Sequence, residues 1–296
     1  MNWLAPLANS LWAASSLPAW LRFRQALRQP GIIQHALLLR QLRRNANTHF
    51  GQAHGFANIT NYEEFVRRVP LVDYDAFEPW IDRIRQGEHN VLTLDRVTHL
   101  IPTSGTTSAR KLIPFTAGLQ REFDAAIGPW LVGLAQQQPG VLGGAAYWSV
   151  SPVLRTATPE ESAVPIGFAS DAEYLGGARR RLVEAVMAVP AEVQQTVSLE
   201  GFRYVILLAL LRSRELRLIS IWHPSFLTLL LDALPTQWEH LLSDIERGTC
   251  RHANDFPVEM RARLCRAPRP ARANELRSAN PAETATLWPR DRKSVV

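Results

Sequence analysis

Apolar residues recur at three- and four-residue intervals along most of this chain, and the recurrences divide it into helices separated by short extended runs. Leu119, Phe123, Ile127 and Leu131 stand four apart and predict a helix over 117–136, with Gly128-Pro129 placed to kink or split it. Between Arg22 and Arg44, apolar positions such as Leu37, Leu38, Leu39 and Leu42 lie among Arg40, Arg43 and Arg44, the pattern of a helix with a basic outer face. Further helices are expected over 180–189, ended by Pro190, and over 200–214, which is strongly apolar. Others follow over 226–234 with Ser225 or a neighbour as cap, over 238–247 with Gly248 just past its end, and over 258–265.

Val97–Ile101, Ala145–Pro152 and Leu216–Trp222 read as strands, the last stopped by His223-Pro224, and Leu112–Thr116 as a short extended piece. Helices alternating with such runs point to an α/β fold with a partly parallel sheet. Asn61 reads as a helix cap followed by Glu63 and Glu64, and Asp73 and Asp75 open another helix. Capping and surface charge explain these acids better than a metal site does. The proline- and glycine-punctuated stretch 156–177 is expected to be a functional or mobile loop. Asn2 to Leu21 carry no charge, which raises a secretory signal or membrane anchor. No basic residue precedes the stretch, Pro6 and Pro18 interrupt it, and Asn9, Ser10, Ser15 and Ser16 dilute it, so the expectation is an amphipathic helix packed on the domain, without stable membrane insertion. No internal repeat is visible.

With 296 residues, 46 % hydrophobic and 20 % charged, the chain is long enough for one large globular domain or two smaller ones. The formal charge of +6 draws much of its excess from Arg261, Arg263, Arg266, Arg269, Arg272 and Arg277, read as a solvated or nucleotide-facing surface. Nothing there has the aromatic interleaving of a nucleic-acid module, so no nucleic-acid partner is expected. Cys250 and Cys265, without C-x-x-C spacing, are expected to be reduced thiols in a cytoplasmic protein.

The candidate chemistry is concentrated in Thr103-Ser104-Gly105-Thr106-Thr107-Ser108-Ala109-Arg110-Lys111, set between a strand and an extended piece that leads into a helix. Backbone N–H groups can form an anion nest there, the hydroxyls add donors, Gly105 permits tight geometry and Lys111 supplies a point charge. The run is not the Walker pattern, and the plain alternative is a serine-threonine turn with no ligand. Trp222 and His223 fall at a strand's carboxyl end, where open α/β sheets place ligands, and are the substrate-side candidates.

The loop resembles the phosphate-binding motif of adenylate-forming enzymes, whose usual form is Thr-Ser-Gly-Thr-Thr-Gly-x-Pro-Lys. Its continuation Leu112-Ile113-Pro114-Phe115-Thr116, the upstream Val69-Pro70-Leu71-Val72-Asp73-Tyr74-Asp75, and Trp80-Ile81-Asp82-Arg83-Ile84-Arg85-Gln86-Gly87-Glu88 resemble the auxin-responsive Gretchen-Hagen-three family of acyl-acid amido synthetases through most of residues 20–290. Ser108 stands where the motif has glycine and Arg110 where proline is common. The resemblance implies part of the large amino-terminal domain of the adenylate-forming fold, mixed β-sheets flanked by helices. It implies a carboxylic acid and an amino acid as substrates, joined as an amide through an acyl-adenylate. ATP with Mg2+ would be held by Thr103, Ser104, Gly105, Thr106, Thr107 and Lys111; no catalytic residue is assigned. The family's later adenine and ribose motifs and its small carboxyl-terminal domain find no match. Asp291 to Val296 reads as one translation of a common sequencing adaptor, so residues 1–290 are expected to be an incomplete adenylation domain, weakly active or inactive alone, and 291–296 a non-native tail. The other reading is a non-catalytic nucleotide-binding or interaction protein that keeps the scaffold.

Overall fold

Pro30 cuts the first long basic segment in two: it opens one helix where the preceding one has already ended, because its ring fixes φ and it needs no N–H in a first turn. The first helix, α1 (Leu4–Ala26), and the second, α2 (Pro30–Arg44), therefore replace the single helix expected over 22–44. The computed structural model describes residues 4–103, 111–149, 162–167, 178–221 and 223–288. Its contacts divide the chain into two units, one of residues 16–130 and 158–169, the other of 1–15, 131–157 and 170–296.

In the first of these units, Thr48 caps α3 (His49–Ala53) by accepting from Gly51 N at 2.9 Å. Asn61 caps α4 (Tyr62–Arg68) by accepting from Glu64 N at 2.9 Å, as expected. Glu64 returns its carboxylate to Thr60 N at 2.7 Å, a reciprocal capping arrangement that holds its pKa below the ordinary carboxylate value. Helix α5 (Glu78–Arg85) buries Ile81 and Ile84. Two strands follow, β1 (Val97–Pro102) and β2 (Leu112–Thr116), paired antiparallel with Leu100 opposite Pro114 and Pro102 opposite Leu112. β2 tolerates Pro114 as an edge strand does. Along its other side β1 meets residues 165–167, Leu100 N donating to Pro165 O and Gly167 N to Leu100 O, each at 2.8 Å. Leu100 is fully buried there among Ile81, Ile84, Val91 and Leu112. Thr116 accepts from Leu119 N at 3.1 Å and starts α6 (Ala117–Gln137), one helix that continues through Pro129 where a kink or split was expected.

The second unit is built on a parallel pair, β3 (Ala145–Trp148) and β4 (Leu216–Ser220), joined through α7 (Ala178–Val186) and α8 (Leu199–Arg212). β3 ends at Trp148, short of the expected Pro152; Ser149 N still donates to Ser220 O at 2.7 Å, and 150–152 lie outside the described residues. The beginning of α1 packs here: buried Asn9 donates to Gly144 O at 2.8 Å and to Leu142 O at 3.1 Å, and Trp12 meets Trp148 with ring centroids 5.4 Å apart. The helix is packed, as the uncharged amino-terminal stretch predicted, but it is not amphipathic: Leu4, Leu7, Leu11, Leu17 and Leu21 are exposed along it. No helix of the described residues is long and apolar enough to cross a membrane.

Helix α8 is buried on nearly every side, so its last four carbonyls need donors from beyond the helix, and Ser213 N and Arg214 N already reach Leu210 O and Arg212 O. Ser213 Oγ donates to Ala209 O, Trp288 Nε1 to Leu210 O, Arg272 Nε to Leu211 O and Arg269 Nη1 to Arg212 O, all at 2.9 to 3.0 Å. Trp288 is fully buried and Arg272 nearly so. The run from Arg261 to Arg277 is therefore not uniformly a solvated surface: Arg272 serves the negative end of a buried helix. Around this core lie α9 (Pro224–Asp232), α10 (Leu234–Arg247), α11 (Val258–Leu264), α12 (Pro270–Arg277) and α13 (Thr284–Leu287), and Gly248 ends α10 at φ +77 as its position predicted. The architecture is mixed α/β, mostly helical with two small sheets among the described residues.

Candidate functional site

The hydroxyl-rich run closes a β-hairpin. Thr103 N donates to Lys111 O at 2.9 Å, one step beyond the Pro102–Leu112 pair, so Thr103 and Lys111 form the mouth of the loop. Ser104, Gly105, Thr106, Thr107, Ser108, Ala109 and Arg110 lie outside the described residues. The mouth is pinned by Tyr74. Its hydroxyl accepts from Leu112 N at 2.7 Å and donates to Leu112 O at 3.1 Å, while Lys111 Nζ lies 5.5 Å from the centre of its ring. Lys111 is exposed and, among the described residues, has no carboxylate partner. Its ammonium is thus oriented by an aromatic face. Tyr74 escaped the sequence reading as a site residue because its contact spans 38 positions.

The far end of β2 borders a different feature. Thr116, Gly118, Leu119 and Glu122 line a polar cleft of about 290 Å³ with Leu37, Gln41, Arg44, Thr93 and Asp95. Its polar groups satisfy one another: Arg44 pairs with Asp95, and Gln41 Nε2 donates to Glu122 at 2.9 Å. A phosphate nest it is not. No group of three or more histidines, cysteines or carboxylates that could hold a metal occurs among the described residues.

The remaining sequence-predicted candidates belong to the second unit. His223 follows β4 and is exposed; it caps α9, Nδ1 accepting from Ser225 N at 3.3 Å and lying 2.8 Å from Ser225 Oγ. Trp222 lies outside the described residues. The strongest polar network of this unit was missed from sequence. Asp244, in the last turn of α10, accepts from Tyr204 Oη at 2.7 Å, from Arg251 N at 2.9 Å and from Thr249 Oγ1, while Arg212 Nη2 donates to its backbone carbonyl at 3.1 Å. Burial, then the bond to Asp244, pushes the Tyr204 hydroxyl far above its ordinary pKa, and burial lifts Cys250 to about 12. Tyr204 and Arg212 tie α8 to α10 through it, and Thr249 and Arg251 fix the segment that follows α10, which is what a structural girder does.

The GH3 family N-terminal domain model matches residues 20–292. This chain belongs to the GH3 family. Among GH3 relatives, it is 27 % identical over 267 residues to a rice (Oryza sativa subsp. japonica) protein named "Probable indole-3-acetic acid-amido synthetase GH3.12", covering 87 % of this chain and 43 % of that protein. It is also 27 % identical over 263 residues to the rice jasmonoyl–L-amino acid synthetase GH3.3, covering 86 % of this chain and 56 % of that one. The chain spans about half the length of these curated GH3 relatives. A solved GH3 structure, the acyl acid amido synthetase AtGH3.15 in complex with 2,4-DB, superposes with a TM-score of 0.71 over 97 % of this chain and 50 % of that one, at 18 % identity. At that identity the likeness carries the fold.

Proposed function

We propose that this protein is an acyl-acid amido synthetase: it activates a carboxylic acid with ATP and joins the acyl group to an amino acid's amine. The observation that carries the reading is the hairpin mouth, where Thr103 and Lys111 are held together and Lys111 faces outward over Tyr74, in a chain of the GH3 family. In the first step a carboxylate oxygen forms a bond to the α-phosphorus and the bond from that phosphorus to the α,β-bridging oxygen breaks, releasing pyrophosphate. In the second the amine nitrogen bonds to the acyl carbon, AMP leaves with the former carboxylate oxygen, and the amine loses a proton.

Thr103, Ser104, Gly105, Thr106, Thr107 and Lys111 are the residues proposed to hold the β- and γ-phosphates. Lys111 offsets charge there, and Tyr74 keeps the strand that bears it in place. Magnesium, carried on the phosphates, would spread the charge that builds on the leaving pyrophosphate. Trp222 and His223 are proposed on the substrate side, at the carboxyl end of β4. The two cysteines are free, which fits a cytoplasmic setting.

Equilibrium binding of ATP to the 296-residue chain, followed by carboxylate-dependent ATP–pyrophosphate exchange with a panel of acids, tests the proposal. Binding that Lys111→Ala weakens, with exchange, supports it. Binding without exchange by this chain fits an amino-terminal part that is weakly active or inactive alone; exchange by the full-length product of its locus then separates enzyme from non-catalytic scaffold, and absence of both binding and exchange in that product defeats the enzyme reading.

A further inference from the structure

The join between α1 and α2 is unusual in what it exposes. Leu17, Leu21 and Phe23 at the end of α1, Leu27 in the turn, and Ile32, Ile33 and Leu37 at the start of α2 are each 42 to 64 % exposed. A Cβ placed on Gly31, beside the turn, would meet nothing within 4 Å. Leu4, Leu7 and Leu11 continue the exposed apolar row along α1, and a row of this kind is not what water selects.

Along the sequence the charge around them is one-sided, although Leu37 also borders the cleft that holds Asp95 and Glu122 and Arg44 pairs with Asp95. Arg22, Arg24 and Arg28 are all exposed within this segment, and Arg24 lies 4.9 Å from the centre of the Trp20 ring. No aspartate or glutamate occurs before Glu63, whereas six arginines do. Those six equal the whole chain's excess of +6, since the other 27 basic residues balance all 27 acids. A second copy of this surface would bring like charges together as its apolar residues met. An anionic bilayer interface answers both features, taking the leucines, isoleucines and phenylalanine below its headgroups and pairing the arginines at them. Trp20 and the arginine stems suit the boundary between the two regions.

We infer that the α1–α2 turn docks this protein peripherally on anionic lipid, inserting Leu21, Phe23, Leu27 and Ile32 without spanning the bilayer. The inference is independent of the proposed chemistry. Flotation of the 296-residue chain with phosphatidylcholine vesicles, and with vesicles in which about one lipid in three is phosphatidylglycerol, tests it. The protein is expected to float with the anionic vesicles only, and to be released by high salt. Arg22→Gln, Arg24→Gln and Arg28→Gln together should weaken the partition on the order of a hundredfold, since each arginine at such a surface contributes roughly fivefold. Leu21→Glu, Phe23→Glu and Ile32→Glu together should abolish it with the thermal transition unchanged, because those side chains already face water. A wild-type chain that stays down with both vesicle types overturns the inference, as does an apolar variant that floats like wild type. A gel-filtration dimer dispersed by that variant, with no flotation, would assign the face to a second copy instead.

Discussion

A lysine at the mouth of a hydroxyl-rich loop can serve a polyphosphate only if its ammonium is not already spent on a carboxylate, and among the described residues Lys111 has no such partner and lies over the Tyr74 ring. Lys111→Ala should weaken ATP binding by about 1.5–3 kcal/mol, the usual worth of a charged hydrogen-bonding contact, with little change in melting temperature. Tyr74→Phe should do the reverse in emphasis. It removes both bonds to Leu112 and should cost about 1–2 kcal/mol of stability, with a smaller loss of affinity through the loosened strand. Titration calorimetry and denaturant melts on the two variants separate the roles; equal losses of affinity would mean that Tyr74 does more than position. The loop itself was legible in sequence because a run of nine neighbours carries it. Tyr74 was not, since nothing local marks a tyrosine whose partner is 38 residues away.

Helix α8 shows what an element can ask of distant sequence. Its apolarity on all faces announced burial, and burial in turn required donors for four terminal carbonyls. Those donors came from Ser213 next to the helix, from Trp288, and from Arg269 and Arg272, two of the arginines that read as surface because charged side chains seldom go inside unpaired. Arg272 is paired: Nη1 meets Glu275 at 2.9 Å, and Nη2 donates to Leu287 O at 2.6 Å. Arg272→Met keeps the packing but leaves the Leu211 and Leu287 carbonyls without donors, and should cost about 2–4 kcal/mol in urea unfolding. A loss within half a kcal/mol would show that water reaches those carbonyls. The sheet has a comparable constraint. A Cβ on Gly144 would stand 2.0 Å from Glu215 O, the acceptor of Ala145 N, so Gly144→Ala should break the first rung of the β3–β4 pair and lower stability by more than about 2 kcal/mol.

At the scale of the whole molecule, hydropathy periods located most of the described helices and three of the four described strands, β2 being read only as a short extended piece. What they could not supply was the pairing: β1 with β2 antiparallel and β3 with β4 parallel are contacts between runs, set by burial on both sides. The same burial fixes how the protein should respond to alkali. Cys250 ordinarily ionises near 9.0 and is raised to about 12, while Tyr204 ordinarily ionises near 10.0 and is raised further, each chiefly by desolvation. Because the folded values lie above the unfolded ones, the stabilisation is fully present below pH 9.0 and is lost as pH climbs toward 12, the unfolded chain giving up protons that the folded chain keeps. The urea midpoint should therefore hold steady to about pH 8 and then decline. Cys250→Ala should lower the midpoint at neutral pH but delay the onset of the decline, and Tyr204→Phe should make its upper part shallower. Both variants lose a contact, so the slope with pH, not the midpoint itself, is the quantity to compare. A wild-type midpoint that stays flat to about pH 11 would mean that solvent reaches both groups, and with them the core that α8, α10 and the 244–256 segment enclose.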